Sequence, residues 1–134
     1  MIVNMEFLEK WNYDIPLPLE TRTNDMLEKY NKFKNEINKK NIKIEDYILN
    51  IYLNNKNYVM EPNTFPYNIP KNMKHYVLWI HPNYKNKISD KEISTIIVTK
   101  MNELGYNEYF CFENNIASKS VLGILHFQVF FNLC

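Results

Sequence analysis

The stretch Asn107–Phe131, NEYFCFENNIASKSVLGILHFQVFF, reads as two strands joined by a small polar loop. From Ile124 onward the side chains alternate. On an extended chain Leu125, Phe127, Val129 and Phe131 share one face, and Ile124, His126, Gln128 and Phe130 share the other. The first face is wholly apolar. The second carries an imidazole and a carboxamide two residues apart, a spacing that aims both at one region in front of a sheet.

The same partition recurs upstream in KHYVLWIHP, Lys74–Pro82. Tyr76, Leu78 and Ile80 form an apolar face, while His75, Val77, Trp79 and His81 lie opposite. Pro82 stops this strand, and His81 beside it reads as an exposed edge residue. A loop then leads to Ser89-Asp90-Lys91-Glu92, a capping box: Ser89 accepts from the backbone N–H three residues on while Glu92 reaches back. The helix it opens shows Ile93, Ile96, Ile97, Met101 and Leu104 on one side. Gly105 supplies the left-handed residue that ends it.

Nearer the N-terminus, Met5 to Trp11 fits a short helix bearing Phe7, Leu8 and Trp11, stopped by Pro16 and Pro18. Thr23 or Asn24 caps a second helix, whose stripe is Met26, Tyr30, Phe33 and Ile37 and which ends near Lys40. Its Lys and Glu residues occupy the remaining faces and read as a solvated surface. Ile44, Tyr47, Ile48, Ile51 and Tyr52 suggest a third, shorter helix before a polar turn at Asn54 to Asn57. Glu61 to Pro70, EPNTFPYNIP, holds three prolines and must be an extended or turning connector.

Three strands sharing one apolar face, with helices able to pack on it, predict an α+β fold. Its antiparallel sheet is covered on one face by helices and at least partly open on the other. No repeat, low-complexity linker or second boundary interrupts the chain. One domain is expected over 1–134, with a helical part over about 1–58 and a sheet-bearing core over about 62–131.

A composition 46% hydrophobic and 15% aromatic suffices for one core at this length. The formal net charge of +1 gives no overall field to hold a nucleic acid or a membrane surface, so neither is expected as a partner. No apolar run approaches the ~18 residues of a membrane span, and MIVNMEFLEK is too acidic for a targeting segment. Cys111 and Cys134 have no paired spacing. Two free thiols in a reducing compartment, and a soluble intracellular protein, are the expectation. The single Ala, single Arg and two Gly reflect a bias that AT-rich genomes impose. There is no phosphate-binding glycine loop, no Cys-x-x-Cys and no His-Glu-x-x-His, and no cofactor is implied. His75 and His81 would lie roughly 20 Å apart on an extended chain, too far to share a metal.

His126 stands out because Gln128 accompanies it and an Asn-Asn-x-Ala-Ser-x-Ser loop precedes it. A neutral imidazole on a strand is suited to attack phosphorus or to move a proton, and a neighbouring amide can hold a phosphoryl oxygen. Asn114, Ser118 and Ser120 would supply further donors where charge develops. His75 and Trp79, on the corresponding face of the other strand, join them as candidate ligand-binding residues. The alternative is that His126 and Gln128 are merely the polar side of a strand, held by neighbours.

The ordered motifs FPYNIP, HYVLW, the aromatic-Glu-Asn of Phe112-Glu113-Asn114, and SKSVLGILHFQVFF resemble the fungal N-acetylglucosamine-induced protein family. That group is built on a domain of unknown function, and the resemblance spans roughly 62–131. The family usually shows His-Phe-His where this chain has His126-Phe127-Gln128, and proline where it has Leu122. More distantly, Asn114, then Ala117 and Ser118, then His126-x-Gln128 are similar to the histidine-triad superfamily, in particular its branch of nucleotide-sugar phosphorylases and uridylyltransferases. The resemblance implies a nucleotide or nucleotide sugar as ligand, His126 as the nucleophile toward the α-phosphate, Gln128 as the phosphate-holding amide and Asn114 as a positioning group. Ile124 then stands where the first triad histidine belongs. In a second register His126 is the first triad residue, Gln128 takes the nucleophile position, Phe130 is third, and no chemistry survives. A histidine-triad-like binding protein with reduced or absent catalysis, and an enzyme using His126, are therefore both implied, beside a purely structural or partner-binding role.

Overall fold

The computed structural model describes residues 2–10, 21–113 and 123–134. Three helices come first: α1 (Met5–Lys10), α2 (Asn24–Lys39) and α3 (Ile44–Ile51). Strands β1 (Tyr58–Pro62) and β2 (Met73–Ile80) follow, then helix α4 (Asp90–Leu104), β3 (Glu108–Phe112) and β4 (His126–Asn132). The two strands of Asn107–Phe131 are present, with the loop between them outside the described residues.

Local chemistry accounts for the helix ends. Thr23 caps α2, its Oγ1 accepting the Met26 N–H at 3.2 Å. Beyond Lys40 the chain turns through Asn41 at φ 55°, and the Ile42 N–H returns to the Ile37 carbonyl. An amide side chain tolerates that left-handed position where most residues would strain. Ser89 opens α4 as expected, its Oγ accepting from Glu92 N–H at 3.1 Å. The second half of the capping box is different: the Glu92 carboxylate accepts the Tyr84 hydroxyl at 2.8 and 2.9 Å. Gly105, at φ 82°, terminates α4.

The strands form one antiparallel sheet in the order β1-β2-β4-β3. The expected three strands become four, because Tyr58–Pro62 pairs with the Tyr76–Ile80 end of β2. The sheet thus starts before residue 62 and runs to Asn132. The proline at the end of β1 is tolerated because β1 is an edge strand. On the apolar face Leu78, Ile80, Val129 and Phe131 pack with Ile97 of α4, all 0% exposed. Leu104, at the end of the α4 stripe, is 37% exposed and lies outside that core. The opposite face is covered in part. Val3 and Leu8 of the α1 region meet Met73, Phe112 and Phe130, and Ile48 of α3 meets Val77, Trp79 and Ile124. Cys111 and Cys134 are both free, and no helix among the described residues is long and apolar enough to cross a membrane.

Candidate functional site

The register between β2 and β4 sets the site. Trp79 lies opposite His126, Val77 opposite Gln128 and His75 opposite Phe130. Because all six point to the face away from α4, they form two columns on the sheet. His126 and Gln128 are 4% and 7% exposed. They are not sealed in packed core, however: with Val77 and Trp79 they form the floor of a cavity of about 1140 Å³. Its walls are the inner side of α2, the start and inner face of α3, and the turn Pro62–Phe65 that leaves β1.

His126 is held in one tautomer. Its Nδ1 lies 2.8 Å from the Ile124 carbonyl oxygen, which can only accept, so Nδ1 carries the proton. In the neutral ring the lone pair is therefore on Nε2. The Trp79 ring packs against the imidazole at 4.8 Å between centroids, and Tyr52 stacks on Trp79 at 6.1 Å. From there ring contacts continue along the wall through Tyr47, Phe33 and Phe65 to Tyr30, each step between 5.3 and 6.4 Å. Burial, and then the neighbouring Tyr52, raises the Tyr47 phenol, which stays neutral.

His75 lies behind the floor rather than on it. Its Nδ1 accepts the Tyr67 backbone N–H at 3.1 Å, its Nε2 lies 2.5 Å from Gln128 Oε1, and its ring stacks on Phe130 at 4.2 Å. Burial drives its pKa from 6.5 down to about 3. The Gln128 hydrogen bond opposes this and the Arg22 charge adds to it. This histidine is neutral across the physiological range. His81 stands apart at the end of β2, half-buried rather than exposed, its Nδ1 accepting the Asn83 N–H at 3.0 Å.

Of the candidate residues, Trp79, His126 and Gln128 thus share one cavity, and His75 contacts Gln128 from outside it. Asn114, Ser118 and Ser120 lie outside the described residues. Two cavity residues carried no signal of their own in the sequence. Asn63 accepts the Phe65 N–H through Oδ1 at 2.9 Å, and its Nδ2 is 3.4 Å from Gln128 Oε1. Arg22 donates through Nε to the Phe65 carbonyl at 2.8 Å and lies over the rings of Tyr30 and Tyr67 at 4.5 and 5.2 Å. Arg22, Lys34 and Lys43 face a single carboxylate, Glu45, among the described lining residues. A chain of near-zero net charge thus concentrates positive charge at its cavity. No group of three or more His, Cys, Asp or Glu side chains that could hold a metal occurs among the described residues.

A solved structure, described as the crystal structure of HTC1, is similar to this chain with a TM-score of 0.67 at 17% identity. The match covers 98% of this chain and 85% of that one, and at this identity it speaks to the fold alone. No curated protein matches the sequence. Residues 15–132, which include α2, α3, the whole sheet and α4, match the family described as protein of unknown function, DUF3605, and the chain belongs to that family.

Proposed function

We propose that this protein binds a phosphate ester of a nucleoside, as a nucleotide or nucleotide sugar, in the cavity above β2 and β4, with the phosphate at His126 and Gln128. The observation that carries this reading is the pairing of a tautomer-fixed imidazole with a buried amide on the floor of one cavity. The volume of about 1140 Å³ lies just above the usual range for small-ligand pockets, roughly 300–1,000 Å³, and leaves room for a whole nucleotide. The aromatic wall suits a nucleobase, and the surplus of Arg22, Lys34 and Lys43 suits phosphate. The ordered motifs from FPYNIP to HFQVFF favour a place near the fungal N-acetylglucosamine-induced proteins within the family, and a distant relation to histidine-triad proteins.

Thermal shift and calorimetry with AMP and with UDP-glucose test the binding reading. Stabilisation by either ligand, reduced at least tenfold in affinity by Gln128→Glu, is expected. Absence of any shift at millimolar ligand would overturn it.

The His126 tautomer favours a second reading, in which the same site is catalytic. The Nε2 lone pair attacks the α-phosphorus, the phosphorus–oxygen bond to the leaving group breaks with its electrons, and the Ile124 carbonyl stabilises the resulting imidazolium through Nδ1–H. Water then hydrolyses the phosphorus–nitrogen bond. Intact-mass analysis after incubation with UDP-glucose distinguishes the two. A nucleotidyl adduct absent from His126→Ala supports catalysis, whereas binding without adduct or turnover leaves the first reading standing alone.

A further inference from the structure

Two groups converge on the Gln128 oxygen, and the sense of each is dictated by a backbone N–H that can only donate. Tyr67 N–H donates to His75 Nδ1 at 3.1 Å, so the proton of the neutral ring is on Nε2, which donates to Gln128 Oε1 at 2.5 Å. Phe65 N–H donates to Asn63 Oδ1 at 2.9 Å, so the Asn63 amide NH2 is the group turned to Gln128 Oε1, at 3.4 Å. The oxygen of Gln128 is thereby occupied and its orientation decided. Its NH2 is left without a protein partner among the described residues, on a side chain only 7% exposed that lines the cavity. An unpaired buried donor is costly unless something accepts from it.

We propose that His75 is a positioning residue: it fixes Gln128 as a hydrogen-bond donor into the cavity, so that the floor selects a ligand presenting a phosphoryl oxygen there. The inference rests on the binding reading above and deepens it by naming which residue sets the polarity of the floor. His75 suits the role because it is locked from behind by Tyr67, stacked on Phe130 at 4.2 Å, and too deeply buried to take a second proton near neutrality. A protonated ring would lose the Tyr67 bond without altering the sense of the Gln128 bond. A ring flip would turn the accepting Nδ1 away from the Tyr67 N–H and the Nε2–H away from Gln128. Both alternatives are thus disfavoured by the same backbone N–H. Arg22 strengthens the selection, since the turn that orients Asn63 also accepts from Arg22 at the Phe65 carbonyl.

The test is a double-mutant cycle read by AMP affinity, with His75→Phe and Gln128→Leu singly and together. His75→Phe keeps an aromatic ring against Phe130 and removes both hydrogen bonds. It should weaken AMP binding about tenfold in the wild-type background and by less than about twofold in the Gln128→Leu background. An equal loss in both backgrounds, or none in either, overturns the proposal. Should His75→Phe fail to fold, Gln128→Glu carries the test: it keeps both incoming donors and removes the outgoing one. Loss of AMP binding with an intact fold supports the proposal, and unchanged binding overturns it. Independently of any ligand, long-range proton–nitrogen spectra of the wild-type protein should show His75 as the Nε2–H tautomer at pH 6–8, and the Nδ1–H form overturns the proposal. If AMP binds without coupling, this inference alone falls. If neither AMP nor UDP-glucose binds, the phosphate-binding reading falls, and the selectivity claimed here goes with it.

Discussion

Acidification should unfold this protein partly through His75. The group ordinarily titrates at 6.5 and is held at about 3 in the folded chain, chiefly by burial. Between those values the unfolded chain binds a proton that the folded chain refuses, so stability rises with pH. The contribution is fully present above about pH 6.5 and is lost, at about 1.4 kcal/mol per pH unit, as pH falls toward the folded value. From pH 7 to pH 5 the loss integrates to about 2 kcal/mol. Urea unfolding at pH 7, 6 and 5 measures it, with His75→Phe as the comparison because phenylalanine keeps the ring against Phe130 but cannot titrate. The variant should be less stable at pH 7 by about 1–3 kcal/mol, since the Tyr67 N–H and the Gln128 oxygen each lose their bond to the His75 ring. Its stability should nevertheless fall less steeply on acidification, so that the gap between the two proteins narrows by about 2 kcal/mol by pH 5. Glu108, held below the usual carboxylate range by its bonds to Cys134 and Asn132, contributes at lower pH and equally in both proteins. If the two stabilities fall in parallel between pH 7 and pH 5, His75 does not carry a buried, depressed titration and the reasoning fails.

Two further perturbations separate support from site. Gly105→Ala should cost about 1 kcal/mol in thermal melts: an added Cβ meets nothing within 4 Å, so the cost is that of holding a side-chain-bearing residue at φ 82°. A cost near zero would show that α4 can end by another turn. Ile97→Ala, in the core on the face away from the cavity, should lower unfolding free energy by about 2–5 kcal/mol while leaving AMP affinity of the folded protein within twofold. A matching loss of affinity would mean that the two faces are mechanically coupled.

How much of this could be read beforehand depended on how local the determining contacts are. The alternation in β4 and β2, the Ser89 cap and Gly105 are all visible within a few residues, because a pleat of period two and a helix terminus are short-range features. Strand β1 was not legible. Tyr58-Val59-Met60-Glu61-Pro62 is brief, mixed in polarity and ends in proline, and its extended form is supplied by pairing with β2. The site divided in the same way. His126 and Gln128 declared themselves by sharing a face two residues apart. The role of His75 depended on the offset between two strands 53 positions apart, which no spacing within either strand reveals. Arg22 reaches the cavity across 43 residues through the Phe65 carbonyl. Its one distinguishing mark was to be the single arginine among 16 basic residues, a compositional oddity without geometric content.

The pairing of Trp79 with His126 and of Val77 with Gln128 makes the site a matter of parity. Deleting one residue between Gly123 and His126 could leave the ladder of backbone bonds intact yet deliver Phe127 and Val129 to the cavity and the imidazole to α4. Deleting two would keep the correct side while exchanging which group meets which ring. Length variation among relatives should therefore collect before Gly123 and be nearly absent after it, with any tolerated change in the strand coming in even steps.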